Sequence, residues 1–325
     1  MSAGRRQEGK IVARAEVIAI GELLVEIMRK RVDSPLDRPD DFVGPFPSGA
    51  PAIFADQMAR LGHSVAFVGA VGRDDFGKCL LDRFATDGVD TSYVTQIDGV
   101  ATGVAFVTYF SDGRRQFIFH IGNAAAGQMI VADADLFAGA RWLHICGSSL
   151  SAGEKMREAC YEAVRLAEGA GCLIAFDPNL RPELLGGEEA LRQICAPILD
   201  VATLVLPSGA EAQVLTGTSD PETACQALLE RGVQYVALKR GAAGCTIFTA
   251  DEVVPVPGFS VDAVDPSGAG DCFDAGFVVG LIEQLPLEEV GRLANACGAL
   301  AATAMGPMEG AAWRSEVDSF IGRRQ

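Results

Sequence analysis

Eight residues, Asp265-Pro266-Ser267-Gly268-Ala269-Gly270-Asp271-Cys272, carry the densest chemistry in the chain. They run directly into Phe273-Asp274-Ala275-Gly276-Phe277-Val278-Val279-Gly280-Leu281-Ile282, an apolar stretch with helical spacing. A loop of small residues opening a helix leaves backbone N–H groups free at the positive end of the helix dipole, where an anion can sit. Gly268 and Gly270 leave the backbone bare enough for a phosphate to lie against it. Asp271 then places a carboxylate at the rim of the same hole. A carboxylate there opposes phosphate binding unless it takes a proton from a group attacking that phosphate. An Asp before a helix is also an ordinary cap. The flanking glycines, the upstream Asp265 and the further motifs below weigh toward catalysis.

The elements that must position this loop alternate. Val17–Gly21, Val65–Gly69, Arg141–Cys146, Cys172–Phe176, Thr203–Leu206 and Gln234–Lys239 read as short apolar strands. Helical patterns at Ala52–Arg60, Gly77–Thr86, Glu154–Glu168, Glu188–Leu199 and Pro221–Arg231 lie between them. Apolar strands separated by helices of this length predict a parallel sheet covered on both faces. Two stretches break the alternation: the charged, proline-punctuated residues 30–47, and a hairpin with arms Gly103–Phe110 and Gln116–Ile121 around Asp112-Gly113. Brought together, they would form a β lid over one end of the sheet.

The octet with its following Phe273-Asp274-Ala275-Gly276 resembles the C-terminal signature of the ribokinase-like (PfkB) carbohydrate kinases, usually Asp-Thr-Thr-Gly-Ala-Gly-Asp-x-Phe. The likeness runs from about Val17 to about Gly310. It implies an α/β fold, a ribokinase-like three-layer α/β/α sandwich with a mostly parallel central sheet and a small β lid. It also implies that Asp271 is the general base and that the amides of Gly268, Ala269 and Gly270 stabilise the transferring phosphoryl group. Residues 1–15 are then a flexible tail, and 16–325 a kinase domain with lid segments at about 24–47 and 101–121.

The remaining motifs are weighed against that resemblance. Gly72 to Cys79 reads G-x-x-x-x-G-K-C, but a P-loop needs Ser or Thr after the Lys, and Asp74 and Asp75 would repel phosphates. The stretch resembles the family's Gly-x-Val-Gly-x-Asp-x-Phe-Gly segment near the sugar, so Asp74 is either a sugar contact or a helix cap. Glu26, leaving the first strand region, matches an acidic position that commonly binds sugar hydroxyls; charged hydrogen bonds suit that task. Pro47–Ala55 resembles Gly-Gly-x-x-x-Asn-x-Ala, with Ser48 for the first Gly and Ile53 for the Asn; Gly49 remains a backbone contact to substrate. Asp177-Pro178-Asn179-Leu180-Arg181-Pro182 ends a strand, where open α/β sheets place ligands. Asn179 would order phosphate or Mg²⁺, and Arg181 would grip a phosphate or a substrate carboxylate; an Asx turn with a surface Arg is the plainer alternative.

For the nucleotide, the resemblance implies Ser208, Lys239, Gly241, Gly244 and, on the penultimate helix, Asn295. Glu211 would position Mg²⁺ through water, and Asp265 with Ser267 match positions that bind a monovalent cation, K⁺, in many relatives. The cofactors implied are ATP and Mg²⁺, with K⁺ as a candidate.

Composition narrows the classes further. The chain has 325 residues, 49% of them apolar, and a formal charge of −16, which argues against nucleic acid or an anionic membrane as partner. No apolar run reaches the roughly 18 residues that span a bilayer. Residues 1–15 carry Arg5, Arg6, Lys10 and Arg14 without the apolar core of a signal peptide. The nine cysteines are dispersed with no C-x-x-C, as expected of reduced thiols in a cytoplasmic protein. The three histidines share no ligand spacing, and there is no G-x-S-x-G; metallohydrolase and serine-hydrolase readings gain no support. The expectation is an ATP-dependent kinase for a small sugar, a ketohexose of the tagatose or fructose type or a keto-sugar acid. A nucleoside kinase of the same fold and a catalytically silent sugar sensor are the alternatives. Exposed lid edges make a homodimer the expected assembly.

Overall fold

The computed structural model describes residues 15–131, 134–181 and 187–323. The expected tail thus lies outside the described residues except for Ala15, and so does Pro182 of the Asp177–Pro182 run. The first half of the chain runs β1 (Val17–Ile20), β2 (Leu24–Arg29), β3 (Phe42–Ser48), α1 (Ala50–Arg60), β4 (Val65–Gly72), α2 (Asp75–Asp87), β5 (Val94–Ile97), β6 (Gly103–Tyr109) and β7 (Arg115–His120). It continues through β8 (Trp142–Cys146), α3 (Gly147–Ser151), α4 (Glu154–Gly169), β9 (Leu173–Asp177), α5 (Glu188–Leu199), β10 (Leu204–Val205), α6 (Glu211–Thr216) and α7 (Pro221–Glu230). Last come β11 (Tyr235–Lys239), β12 (Gly244–Phe248), β13 (Val253–Pro257), α8 (Ala269–Ile282), α9 (Leu287–Ala301) and α10 (Arg314–Gly322).

Nine strands form one sheet in the order β13-β12-β11-β10-β9-β8-β1-β4-β5. Neighbours from β10 to β5 and the β10–β11 pair are parallel, while β11–β12 and β12–β13 are antiparallel. Period-2 alternation explains why both faces are covered. Val17 and Ala19 of β1 join one buried cluster, and Ile18 and Ile20 join the other. Val65 and Phe67 of β4 divide from Ala66 and Val68 in the same way. Helices α1, α8 and α9 contribute to the first cluster, and α4, α5 and α7 to the second. The antiparallel edge β12–β13 departs from the expected strict alternation. Thr249 accepts and donates within a tight turn to Glu252, so these strands need no crossover helix.

Helix α8 is apolar on nearly every side because Asp271 to Gly280 are all buried. A β-carbon at Gly276 would stand 2.9 Å from Ala294 Cα, so glycine is what lets α8 and α9 pack backbone to backbone. The second sheet has four strands, β3-β2-β6-β7. Its central β2–β6 pair is parallel and its outer pairs are antiparallel. The chain crosses from β1 to β2 at Gly21, whose φ of 148° and close neighbour Ser149 leave no room for a side chain.

Candidate active site

The small sheet faces the N-terminus of α8 across an open-mouthed cleft. Of the residues singled out from sequence, the cleft brings together Glu26, Ser48, Gly49, Ile53, Asn179, Arg181, Ser267, Gly268 and Asp271. They come from segments separated by more than two hundred positions in the chain.

Gly268 caps α8 in the left-handed region, at φ 76°. A β-carbon there would collide with the Pro307 carbonyl and press on Ile53 Cγ2. Gly268→Ala is therefore expected to cost about 1–3 kcal/mol and to displace the anion loop, seen as a lowered kcat with a folded far-UV spectrum. The Ala269 amide turns back to the Pro266 carbonyl at 3.3 Å. Asp271 follows in the first turn and is buried. Burial, then the Asp177 carboxylate, push its pKa up to about 8, against the pull of Lys239 and Arg181.

A group of charges lies beneath this turn. The Lys239 ammonium sits 3.0 and 3.3 Å from the two Asp274 oxygens and 3.2 Å from Asp177 Oδ2. It is buried, and a β-carbon on Gly270 would lie 3.6 Å from it. The sequence assigns Lys239 to the nucleotide; its side chain here is instead the internal counter-ion of Asp177 and Asp274. Burial, Asp177 and Asp271 push Asp274 well above the usual carboxylate range, while the acids hold Lys239 firmly charged. Glu211, assigned to Mg²⁺ through water, accepts from the Leu180 amide at 2.8 Å and the Ser208 amide at 2.7 Å. Both of its oxygens brace the loops after β9 and β10, and burial followed by Asp177 raises its pKa to about 7.

The remaining assignments also find defined places. Asp74 is absent from the cleft lining: it caps α2 by accepting from Gly77 N, and it holds Thr102 through N and Oγ1. This is the capping alternative, and three donors account for its carboxylate. Asn295 donates to the carbonyls of Val256 and Pro257, tying α9 to β13. Gly244 is required by the close passage of Val256 and Gly258 backbone. Ser208 bridges to Lys239 at the ends of β10 and β11, and exposed Gly241 follows at φ 56°. Asp265 accepts from Ser267 N at 2.9 Å and Gly306 N at 3.0 Å, and from the Tyr109 hydroxyl at 2.8 Å.

On the opposite wall Glu26 is buried, and Ser48 Oγ donates to its Oε1 at 2.7 Å. Its Oε2 is buried without a hydrogen-bond partner. Burial moves its pKa up to about 7, the Ser48 bond opposing. Ser48, a departure from the family pattern, is thus what orients the acid. Sequence reasoning missed Glu22, Ser148, Arg115, Phe117 and Phe119, which also line the cleft. Glu22 accepts from Ser148 Oγ at 2.7 Å and from Ser149 Oγ. Arg115, Phe117 and Phe119 alternate along β7, and the two rings stack with centroids 5.2 Å apart. The period-2 signal was present in that arm; which face met the cleft was not.

The oxygen donors at the base of the cleft suit a hard cation. Cys146, Asp177 and Asp271 place ligand atoms within 4.8 Å of one another. Burial keeps the Cys146 thiol protonated, which leaves the Asp177 and Asp271 carboxylate oxygens, donors of the type that Mg²⁺ prefers.

Comparison with known proteins agrees with this geometry. Residues 14–314 match the model of the pfkB family carbohydrate kinases. A fructokinase of Escherichia coli is 32% identical over 312 residues, covering 94% of this chain and 99% of its own. An Escherichia coli protein assigned as ribokinase II, solved with ATP and Mg²⁺, superposes with a TM-score of 0.89 at 41% identity, covering 95% of this chain and 99% of its own. A fructokinase of Vibrio cholerae, solved with fructose, ADP and calcium, gives 0.80 at 26% identity, covering 94% and 99%; a double mutant of it carries potassium. With the Gly-Ala-Gly-Asp turn opening a buried helix, a carboxylate facing it across the cleft, and likeness over nearly its whole length, this chain belongs to the pfkB family of carbohydrate kinases.

Proposed function

We propose that this carbohydrate kinase transfers the γ-phosphoryl group of ATP to a primary hydroxyl of a ketohexose. The observation that carries the reading is the pairing of Asp271, at the mouth of the α8 anion hole, with Glu26, whose Oε2 lacks a partner in the same cleft. A buried acceptor without a donor is costly, and a sugar hydroxyl would supply one. Asp271 accepts the proton of the attacking hydroxyl. The α8 N-terminus, through the Gly268–Gly270 backbone, receives the phosphoryl charge. Arg181 and Arg115 add positive charge at the cleft wall, and Phe117 and Phe119 exclude water from one side of the sugar. Asp177 and Asn179 would hold Mg²⁺, with Glu211 bracing their loop; the ion supplies charge neutralisation on the phosphates.

The test is ADP release from MgATP, in KCl and in NaCl, over tagatose, fructose, psicose, ribose, 2-keto-3-deoxygluconate and adenosine. Turnover with a ketohexose supports the reading. The stacked Phe117–Phe119 wall favours a second reading, a nucleoside kinase, and turnover of adenosine alone would establish it in place of the first. Silence across the panel with sugar binding intact would mark a sensor. Glu26→Gln is expected to raise the sugar KM about tenfold, the loss of one charged hydrogen bond, with the KM for ATP unchanged; equal rises in both would remove Glu26 from the sugar site.

Among the described residues no helix is long and apolar enough to cross a membrane. All nine cysteines are free, which supports a cytoplasmic location. Exposed Phe42 and Ile118 on the small sheet support a homodimer, to be read from sedimentation.

A further inference from the structure

One side chain of the small sheet is hydrogen-bonded to the loop that sets the anion hole. Tyr109 ends β6, and its hydroxyl lies 2.8 Å from Asp265 Oδ1 and 2.6 Å from Ser267 Oγ. Asp265 is buried and works as a hub: its carboxylate accepts from Ser267 N and Gly306 N, and its own amide donates to the Ala302 carbonyl. It thereby clamps the Pro266–Gly268 turn to the segment after α9, where Pro307 limits Gly268. The small sheet touches that segment a second time, since a β-carbon on Gly306 would lie 2.8 Å from the Phe46 ring.

The other end of this connection is the sugar wall. Tyr109 is the register partner of Arg115 on β7, and Arg115, Phe117 and Phe119 line the cleft. A ligand that draws β7 onto itself must therefore move Tyr109 with it. The hydrogen bond between Tyr109 and the Asp265–Ser267 loop converts that movement into placement of Gly268 and, three residues on, of Asp271.

We propose that Tyr109 is a positioning residue: through Asp265 and Ser267 it makes the seating of the Gly268–Asp271 turn depend on the small sheet being closed over the sugar. The residue touches neither reacting atom. It acts by leaving the base and the anion hole misaligned in those molecules whose sheet is raised, a population that the free protein samples and that sugar depletes, which limits hydrolysis of ATP without sugar. The kinetic consequence rests on the sugar-kinase reading, whereas the structural linkage does not.

Tyr109→Phe keeps the ring and deletes the hydroxyl. In the free protein, hydrogen exchange at the Ser267 and Gly306 amides is expected to quicken about tenfold, with the melting temperature little changed. With MgATP and fructose, or the panel member that is turned over, kcat is expected to fall about tenfold while the sugar KM stays within about twofold. ADP should then exceed sugar phosphate. Adding Ser267→Ala to Tyr109→Phe should cost less than the sum of the two single losses, because both act through one loop. Unchanged exchange at Ser267 and Gly306 overturns the linkage, even if no ketohexose is phosphorylated. An unchanged kcat, a loss confined to KM, or a kcat fully restored by KCl overturns the coupling, the last because the hydroxyl would then only be balancing the Asp265 charge.

Discussion

Asp271→Asn is expected to lower sugar-dependent ADP release by about 10³–10⁴-fold, the upper part of the range for a lost general base, with sugar and ATP still bound. Asparagine keeps the shape of the side chain and cannot accept the proton. The pH dependence of the parent protein should identify the same group. Its folded-state pKa is about 8, against an ordinary 3.8, because burial and Asp177 disfavour the charge. The base is active only when ionised, so kcat/KM for the sugar should rise with pH and level off above about 8. The sign for stability is opposite. A carboxyl whose folded pKa is raised contributes stability that is fully present below about 4 and lost as pH rises through about 8. The free parent should accordingly melt at lower temperature at pH 9 than at pH 6, and Asp271→Asn should flatten that slope. A variant retaining a tenth of parental turnover would remove Asp271 from the role of base.

Lys239→Met is expected to have the largest effect on folding, about 3–5 kcal/mol, the usual loss when one partner of a buried ion pair is removed. The ammonium is the shared counter-ion of Asp177 and Asp274, and methionine leaves both carboxylates in a dry interior without it. Pairing it with Asp274→Leu should recover part of the loss, because one uncompensated acid is then gone. Urea unfolding of the parent, the two single variants and the double variant measures this directly. Lys239 also holds down the pKa of Asp271. Any Lys239→Met that folds should therefore show its kcat/KM plateau displaced to higher pH. A neutral effect on both stability and pH profile would mean that the cluster is compensated from elsewhere.

The alternation of strand and helix was legible because a two-faced parallel sheet needs nearly continuous apolar strands and long crossover helices. The β12–β13 edge escaped it because an antiparallel hairpin carries neither signature. The turn that holds the proposed base was legible for a local reason: Gly268, Gly270 and Asp271 lie in one turn at the start of one helix, all encoded within four residues. Gly49 belongs to this class as well, as the cap that opens α1, and Glu26 stands within β2 one strand from it.

Residues whose work depends on a distant partner were less readable. Lys239 appeared as a basic residue at a strand end, yet only the packing of α8 against β9 and β11 places its ammonium between Asp177 and Asp274. Glu211 reads as an acid in the first turn of a helix, and its place as a brace follows from the Leu180 and Ser208 amides converging on it. Glu22 gained meaning only when Ser148 and Ser149 arrived from α3. Local sequence determined the glycine-rich turn with its aspartate and the class of fold, because those depend on backbone geometry and periodicity over a few residues. Tertiary structure alone decided which charges neutralise one another and which face of β7 lines the cleft, because burial and Coulomb interaction depend on separation in space, and the chain brings the cleft residues together from more than two hundred positions apart.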